Sequence, residues 1–116
     1  MAAAPVVHFE IVGKDGERLK NFYQSLFGWN INSDNPMNYG LVEKSGDGIG
    51  GGVGASENGK PSVTIYATVD DMQATLDKAV AMGGKIVVPI TEIPNMVTFA
   101  QFQDFEGNIV GIVKGM

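Results

Sequence analysis

An α+β fold of two βαβββ modules, forming curved mixed sheets around a cavity with the helices outside, is what the sequence predicts. Three observations lead there. Apolar and polar residues alternate over Val6 to Ile11, apolar residues then recur every three to four positions, and the same strand–helix–three-strand order returns in the second half. The two helix ends, Gly28 and Gly83, lie 55 residues apart, close to half of the 116 residues. That spacing describes a single domain, residues 1–116, with modules at about 5–55 and 62–115, and fits ordinary domain sizes.

In the first strand Val7, Phe9 and Ile11 share one face, and Val6, His8 and Glu10 share the other. Asp15 stands where an N-cap carboxylate would accept from orphaned backbone N–H groups. Leu19, Phe22, Tyr23, Leu26 and Phe27 then form one apolar stripe of a helix, and Gly28 is placed to end it. Three short extended stretches follow, at Trp29 to Ser33, Asn38 to Glu43 and Ile49 to Val53, separated by the turn chemistry of Asp34-Asn35-Pro36 and Ser45-Gly46-Asp47-Gly48. Glu57 to Pro61 reads as the linker.

The second module repeats the pattern. Ser62 to Val69 is a strand with Val63, Ile65, Ala67 and Val69 on one face and Thr64, Tyr66 and Thr68 on the other. Asp70-Asp71-Met72-Gln73 offers a capping box in which Gln73 reaches back to the cap. Met72, Leu76, Ala79, Val80 and Gly83 make the second helical stripe, and Lys85 to Pro89, Val97 to Gln103 and Asn108 to Lys114 supply three strands. In this arrangement the Val7–Phe9 face meets the helices. The face with His8, Glu10, Thr64 and Tyr66 lines the cavity, joined by Ile109, Gly111 and Val113 of the last strand, while Val110 and Ile112 meet the helix.

Composition removes several function classes. Eight Lys and Arg stand against 13 Asp and Glu, a net charge of −5, and the isoelectric point is near 4.6. Nucleic-acid binding needs clustered cations, so no nucleic-acid partner is expected. No apolar run of ~18 residues spans a membrane. Met1 to Pro5 lacks a charged n-region and a full apolar core, so it does not read as a signal peptide, and a cytoplasmic location is expected. The absence of Cys excludes thiolate metal sites and Cys nucleophiles, and no Ser sits in an elbow motif. Gly46 to Gly51 matches G-x-G-x-x-G literally but does not lead from a strand into a helix, so it is read as a turn and a flexible strand whose backbone can approach a ligand or a partner subunit closely.

His8-Phe9-Glu10-Ile11, the string Phe22-Tyr23-Gln24-Ser25-Leu26-Phe27-Gly28-Trp29, Val69-Asp70-Asp71, Gly83-Gly84 and the closing Asp104-Phe105-Glu106-Gly107-Asn108 together resemble the vicinal oxygen chelate superfamily. That superfamily includes glyoxalase I, bleomycin-resistance proteins and extradiol dioxygenases. Phe105 stands where the family's closing turn usually has Pro. The resemblance covers nearly the whole chain and implies the fold more strongly than any one activity. It also implies a homodimer, since relatives of this size commonly pair.

Metal-dependent relatives place four ligands on cavity-lining strands. Transferred residue by residue, the resemblance puts the first on His8, the second near Gly51 and Gly52, the third on Thr64 and the fourth on Gly111. Only His8 is a competent ligand, and catalytic sites need about three protein donors, so no metal or other cofactor is expected. Glu10 could supply part of a site, as could Glu43 or Glu57 on another alignment of the Gly-rich stretch. His8 and Glu10 are the candidate catalytic residues, through general-base chemistry or a carboxyl group raised by desolvation. His8, Glu10, Thr64, Tyr66 and Gly111 are the candidate ligand-binding residues. Each also has an ordinary reading: an inherited polar residue, a surface carboxylate, or side chains favoured in strands. Two functions stay open. One is a metal-free binder of a small, partly apolar molecule. The other is a glyoxalase-like isomerase or lyase, or a dioxygenase-type enzyme, acting through His8 with or without a divalent metal.

Overall fold

The computed structural model describes residues 3–115. The reading of Met1 to Pro5 therefore lies in part outside the described residues. The elements run β1 (Val6–Gly13), α1 (Gly16–Phe27), β2 (Ile31–Asn32), β3 (Gly40–Val42), β4 (Gly50–Ala55), β5 (Ser62–Val69), α2 (Met72–Ala81), β6 (Lys85–Ile93), β7 (Val97–Gln103) and β8 (Ile109–Lys114). Strand–helix–three strands occurs twice, and the class is α+β. Neither helix is long and apolar enough to cross a membrane.

The chain divides into two compact units, one of residues 8–64 and one of residues 65–115 with the segment before His8. In the 8–64 unit the strand order is β2-β3-β4-β1, with β1 parallel to β4 and the other pairs antiparallel. In the other the order is β6-β7-β8-β5, again with one parallel pair, β5 with β8. The two pairing schemes are the same, as duplicated modules require.

Local chemistry accounts for the helix ends. Asp15 accepts from Arg18 N at 3.1 Å, and Gly28 closes α1 at φ 70°, a left-handed conformation that costs glycine nothing. Asp71 caps α2 by accepting from Ala74 N at 3.0 Å. Gln73 does not complete a capping box. With Asp71 as cap it occupies the second helical position rather than the third, and it donates forward to Asp77 Oδ1 at 2.9 Å. After β7, Asp104 Oδ1 accepts from Glu106 N and Asn108 N, both at 2.9 Å, so the closing turn is held by the carboxylate without a Pro. The bonds from Asn108 hold the Asp104 carboxyl below the usual carboxylate range.

The helices differ in how they pack. α2 buries Met72 and Leu76 of its predicted stripe against Ala100 and Ile112, with Val69 and Phe102 beside them, while Val80 is exposed and Gly83 lies past the helix end. On α1, Phe22, Leu26 and Phe27 are each more than half exposed, and the buried residues are Gly16 and Lys20. Gly16 is required there, since a Cβ would come 2.5 Å from Ala55 N. On β5 Thr64 and Tyr66 are buried while Val63 and Ile65 are exposed, and only toward the strand end does Val69 of the latter face pack against the α2 core. β2 is shorter than the extended stretch expected from Trp29 to Ser33, and β6 runs on past Pro89 to Ile93 with register shifts at Val88.

Candidate functional site

Parallel pairing of β1 with β4 sets His8 opposite Gly50, Phe9 opposite Gly51 and Glu10 opposite Gly52. Successive residues of a strand face opposite ways, so the bare backbone of β4 is open on both faces. Rings of this chain fill both. The Phe9 ring lies where a Gly51 side chain would begin, and the Tyr39 ring and hydroxyl lie where a Gly52 side chain would begin. At Gly51 and Gly52 it is the chain's own aromatic residues that approach the backbone, in place of the expected ligand or partner subunit.

Tyr39 was not among the residues singled out from the sequence. It belongs to the turn before β3, next to Asn38 in the left-handed region at φ 53°. Its hydroxyl donates to Glu10 Oε2 at 3.0 Å and lies 3.1 Å from His8 Nε2. Since that proton goes to the carboxylate, the imidazole acts as donor through Nε2–H. The order is therefore His8 to Tyr39 to Glu10, with the rings of His8 and Tyr39 stacked at 6.3 Å. Burial pushes His8 below its ordinary 6.5. Burial pushes Glu10 above its ordinary 4.5, against the opposing pull of the Tyr39 hydrogen bond. The two proton affinities thus approach each other across one phenol.

Tyr66 and Gly111 are also brought together. They are register partners, the Tyr66 ring occupies the space of a Gly111 side chain, and Tyr66 Oη accepts from Gln101 Nε2 at 2.7 Å. Phe99 meets that ring edge-on at 6.5 Å. Thr64 is buried, and its hydroxyl is 3.4 Å from Ser62 Oγ. In the two pairing schemes Gly52 and Gly111 correspond, each lying under a tyrosine ring.

These observations test the fit of a divalent metal. Two of the four family ligand positions, at 52 and 111, have no side chain, and a Cβ at either would overlap a tyrosine. Thr64 supplies a neutral hydroxyl. Among the described residues no group of three or more His, Cys, Asp and Glu side chains converges, and Glu43 instead accepts from Asn30 Nδ2 at 2.6 Å. The donor set does not fit a metal.

A groove of about 530 Å³ runs along α1, lined by Ile11, Leu19, Phe22, Tyr23, Pro61 and Val63. It does not include His8, Glu10 or Tyr39. Nearby, Trp29 packs on Phe9, Tyr23 and Phe27 with ring centroids 5.0–5.6 Å apart.

Residues 6–45 match the family described as bleomycin resistance protein-like N-terminal. A glyoxylase-like domain-containing protein of Didymella fabae is 32% identical over 113 residues, covering 85% of this chain and 84% of that protein. The chain belongs to the glyoxalase/bleomycin resistance/dioxygenase superfamily. A protein of Mycobacterium bovis named as a glyoxylase is also 32% identical, over 107 residues that cover 84% of this chain. The chain spans about two fifths of the length of that mycobacterial relative, 41%. Among solved structures, methylmalonyl-CoA epimerase from Mycobacterium tuberculosis superposes with a TM-score of 0.70 at 16% identity, covering 100% of this chain and 93% of that one. A glyoxalase/bleomycin resistance protein/dioxygenase superfamily member from Vibrio splendidus gives 0.64 at 16% identity, covering 97% and 100%. At such identities the likeness is one of fold, the vicinal oxygen chelate fold.

Proposed function

We propose that the chain binds a small, partly apolar molecule at the His8–Tyr39–Glu10 wall without a divalent metal, and that it does so as a homodimer. One observation carries the reading: the Tyr39 hydroxyl, joined to Glu10 and His8, stands where a ligand side chain at Gly52 would have to be. The wall offers hydrogen-bonding groups in fixed orientation, the usual means by which an apolar site orients its ligand. A thermal-shift screen of metabolites and drugs tests it, because a ligand of the native state raises the melting temperature by mass action. Hits should persist in EDTA, fall away in Tyr39→Phe, and come from protein carrying less than about 0.1 equivalent of Zn, Ni, Fe or Mn. Near one equivalent of metal, lost in His8→Ala, would overturn the reading.

The homodimer rests on the contrast between the helices. α2 buries Met72 and Leu76 against its own sheet, while Phe22, Leu26 and Phe27 of α1 and the neighbouring Val63 stay exposed. Contiguous apolar surface of that kind marks an interaction site. The mycobacterial relative is more than twice as long as the matched segment, which leaves room for a second such domain where this chain would use a second copy. Light scattering should give twice the chain mass of 12.3 kDa, and Phe27→Asp should return one chain mass. A wild-type monomer at 100 μM (roughly a hundred-fold above a typical micromolar Kd) refutes it.

A second reading, a metal-independent isomerase or lyase, is favoured by the approach of the His8 and Glu10 proton affinities across Tyr39. In it Glu10 takes a proton from the carbon next to the carbonyl, the C–H electron pair passes to the carbonyl oxygen as an enediolate, and desolvation supplies the raised proton affinity of Glu10. Exchange of the carbon-bound proton of an α-keto hemithioacetal in D2O, followed by NMR, should exceed the buffer rate and vanish in Glu10→Gln. Exchange at the buffer rate disposes of this second reading.

A further inference from the structure

Lys20 is buried on a helix whose apolar stripe is exposed. Its side chain is only 7% accessible, although it pairs with the exposed Glu17 at 2.9 Å. An ammonium costs several kcal/mol to desolvate unless it is paired and hydrogen-bonded, so its burial at this position calls for a partner. That partner is the carbonyl of Asn38, which accepts from Lys20 Nζ at 2.7 Å. The stem packs beside Gly40, where a Cβ would come 3.1 Å from Lys20 Cε.

Asn38 immediately precedes Tyr39. On the other side of the turn, Asn35 donates through Nδ2 to Tyr39 O at 2.7 Å and accepts through Oδ1 from Tyr39 N at 3.0 Å. The backbone of Tyr39 is therefore tied at both of its polar atoms, and the preceding carbonyl is tied to α1. The far end of the same residue is the hydroxyl between Glu10 and His8.

We propose that Lys20 is a positioning residue of the site: through its bond to the Asn38 carbonyl, α1 holds the 35–39 turn so that the Tyr39 hydroxyl stays between Glu10 and His8. The functional weight of this rests on the preceding reading of that wall. The geometric claim is tested on the ligand-free protein, so the two can fail separately.

His8 is the chain's single histidine, and its ring C–H resonances report the wall without assignment ambiguity. At pH 7.5, Lys20→Met should move them in the direction of Tyr39→Phe by at least half as much. Lys20→Arg, which keeps a cationic donor, should restore most of the wild-type position, and Glu17→Gln should move them by less than a tenth. Resonances unmoved in folded Lys20→Met, or moved as far by Glu17→Gln, would overturn the proposal. Should Lys20→Met not fold, the wild-type protein decides. The Lys20 ammonium should appear as a slowly exchanging ¹⁵N signal with a coupling across the hydrogen bond to the Asn38 carbonyl carbon. Its absence under conditions where other buried protons are protected would overturn the proposal equally.

Discussion

Tyr39→Phe removes one oxygen and leaves the ring over Gly52, so it isolates the hydroxyl from the packing. The lost bonds are a 3.0 Å donation to the Glu10 carboxylate and a 3.1 Å contact with His8 Nε2. A hydrogen bond to a charged group contributes ~1.5–3 kcal/mol, and part exposure of this pair brings the expected loss to about 1–2 kcal/mol. In a domain of this size that lowers the melting temperature by roughly 4–10 °C. Urea unfolding of wild type, Tyr39→Phe, Glu10→Gln and the double variant at pH 8 closes a mutant cycle. The Tyr39→Phe loss should shrink by more than half in the Glu10→Gln background, because the carboxylate that made the bond strong is gone. The substitution should also raise the Glu10 pKa, since its opposing hydrogen bond is removed. A Tyr39→Phe protein within 0.3 kcal/mol of wild type (about the error of such a comparison), or a loss indifferent to Glu10, refutes the reasoning.

Three further outcomes follow from the geometry. Gly52→Ala sets a methyl group into the Tyr39 ring and should cost about 1–3 kcal/mol, a cost largely relieved when Tyr39→Ala is added; denaturant midpoints of the three proteins check this. Leu76→Ala, at a site only 1% exposed between Met72, Ala100 and Ile112, should cost about 2–4 kcal/mol by the same measurement, and a loss under 1 kcal/mol would deny that α2 is sealed. Burial holds His8 below 6.5, so the unfolded chain takes up a proton that the folded chain refuses, and stability falls as pH drops through 6.5 toward the folded value. Glu10 acts with the opposite sign: the cost of its buried carboxylate is present at high pH and relieved as pH falls through a folded value above 4.5. His8→Gln should therefore flatten the decline in urea midpoint between pH 7.5 and 5.5 relative to wild type, and an unchanged slope would contradict the burial of His8.

The elements were legible where local chemistry decides them. Asp15, Gly28 and Gly83 punctuate the helices, and the alternations of β1 and β5 mark strands by themselves. The duplicated order could be read from those marks without any tertiary information. Tyr39 was not legible, because its place depends on a non-local register. Only the pairing of Glu10 with Gly52, 42 positions away, shows that a ring must lie there. The glycines at 51, 52 and 111 were visible as missing ligands, yet the space they vacate is as informative as the donors they lack. A signal was nonetheless present, since an unusually bare strand beside a polar-faced one needs bulky residues nearby to fill the volume. The exposure of the α1 stripe was illegible for a different reason. Amphipathic spacing says that a face will be covered and does not say by what.

The paired glycine and tyrosine at the first module's wall bear on how such a protein could change over evolutionary time. Installing a coordinating residue at position 52 collides with the phenol, and removing the phenol alone strips Glu10 and His8 of their shared partner. Either step taken singly destabilises the fold, so replacements at 39 and 52 are energetically coupled. In a library randomised at 39 and 52 together, double replacements that pair a side chain at 52 with a small residue at 39 should be more stable than the same replacement at 52 alone.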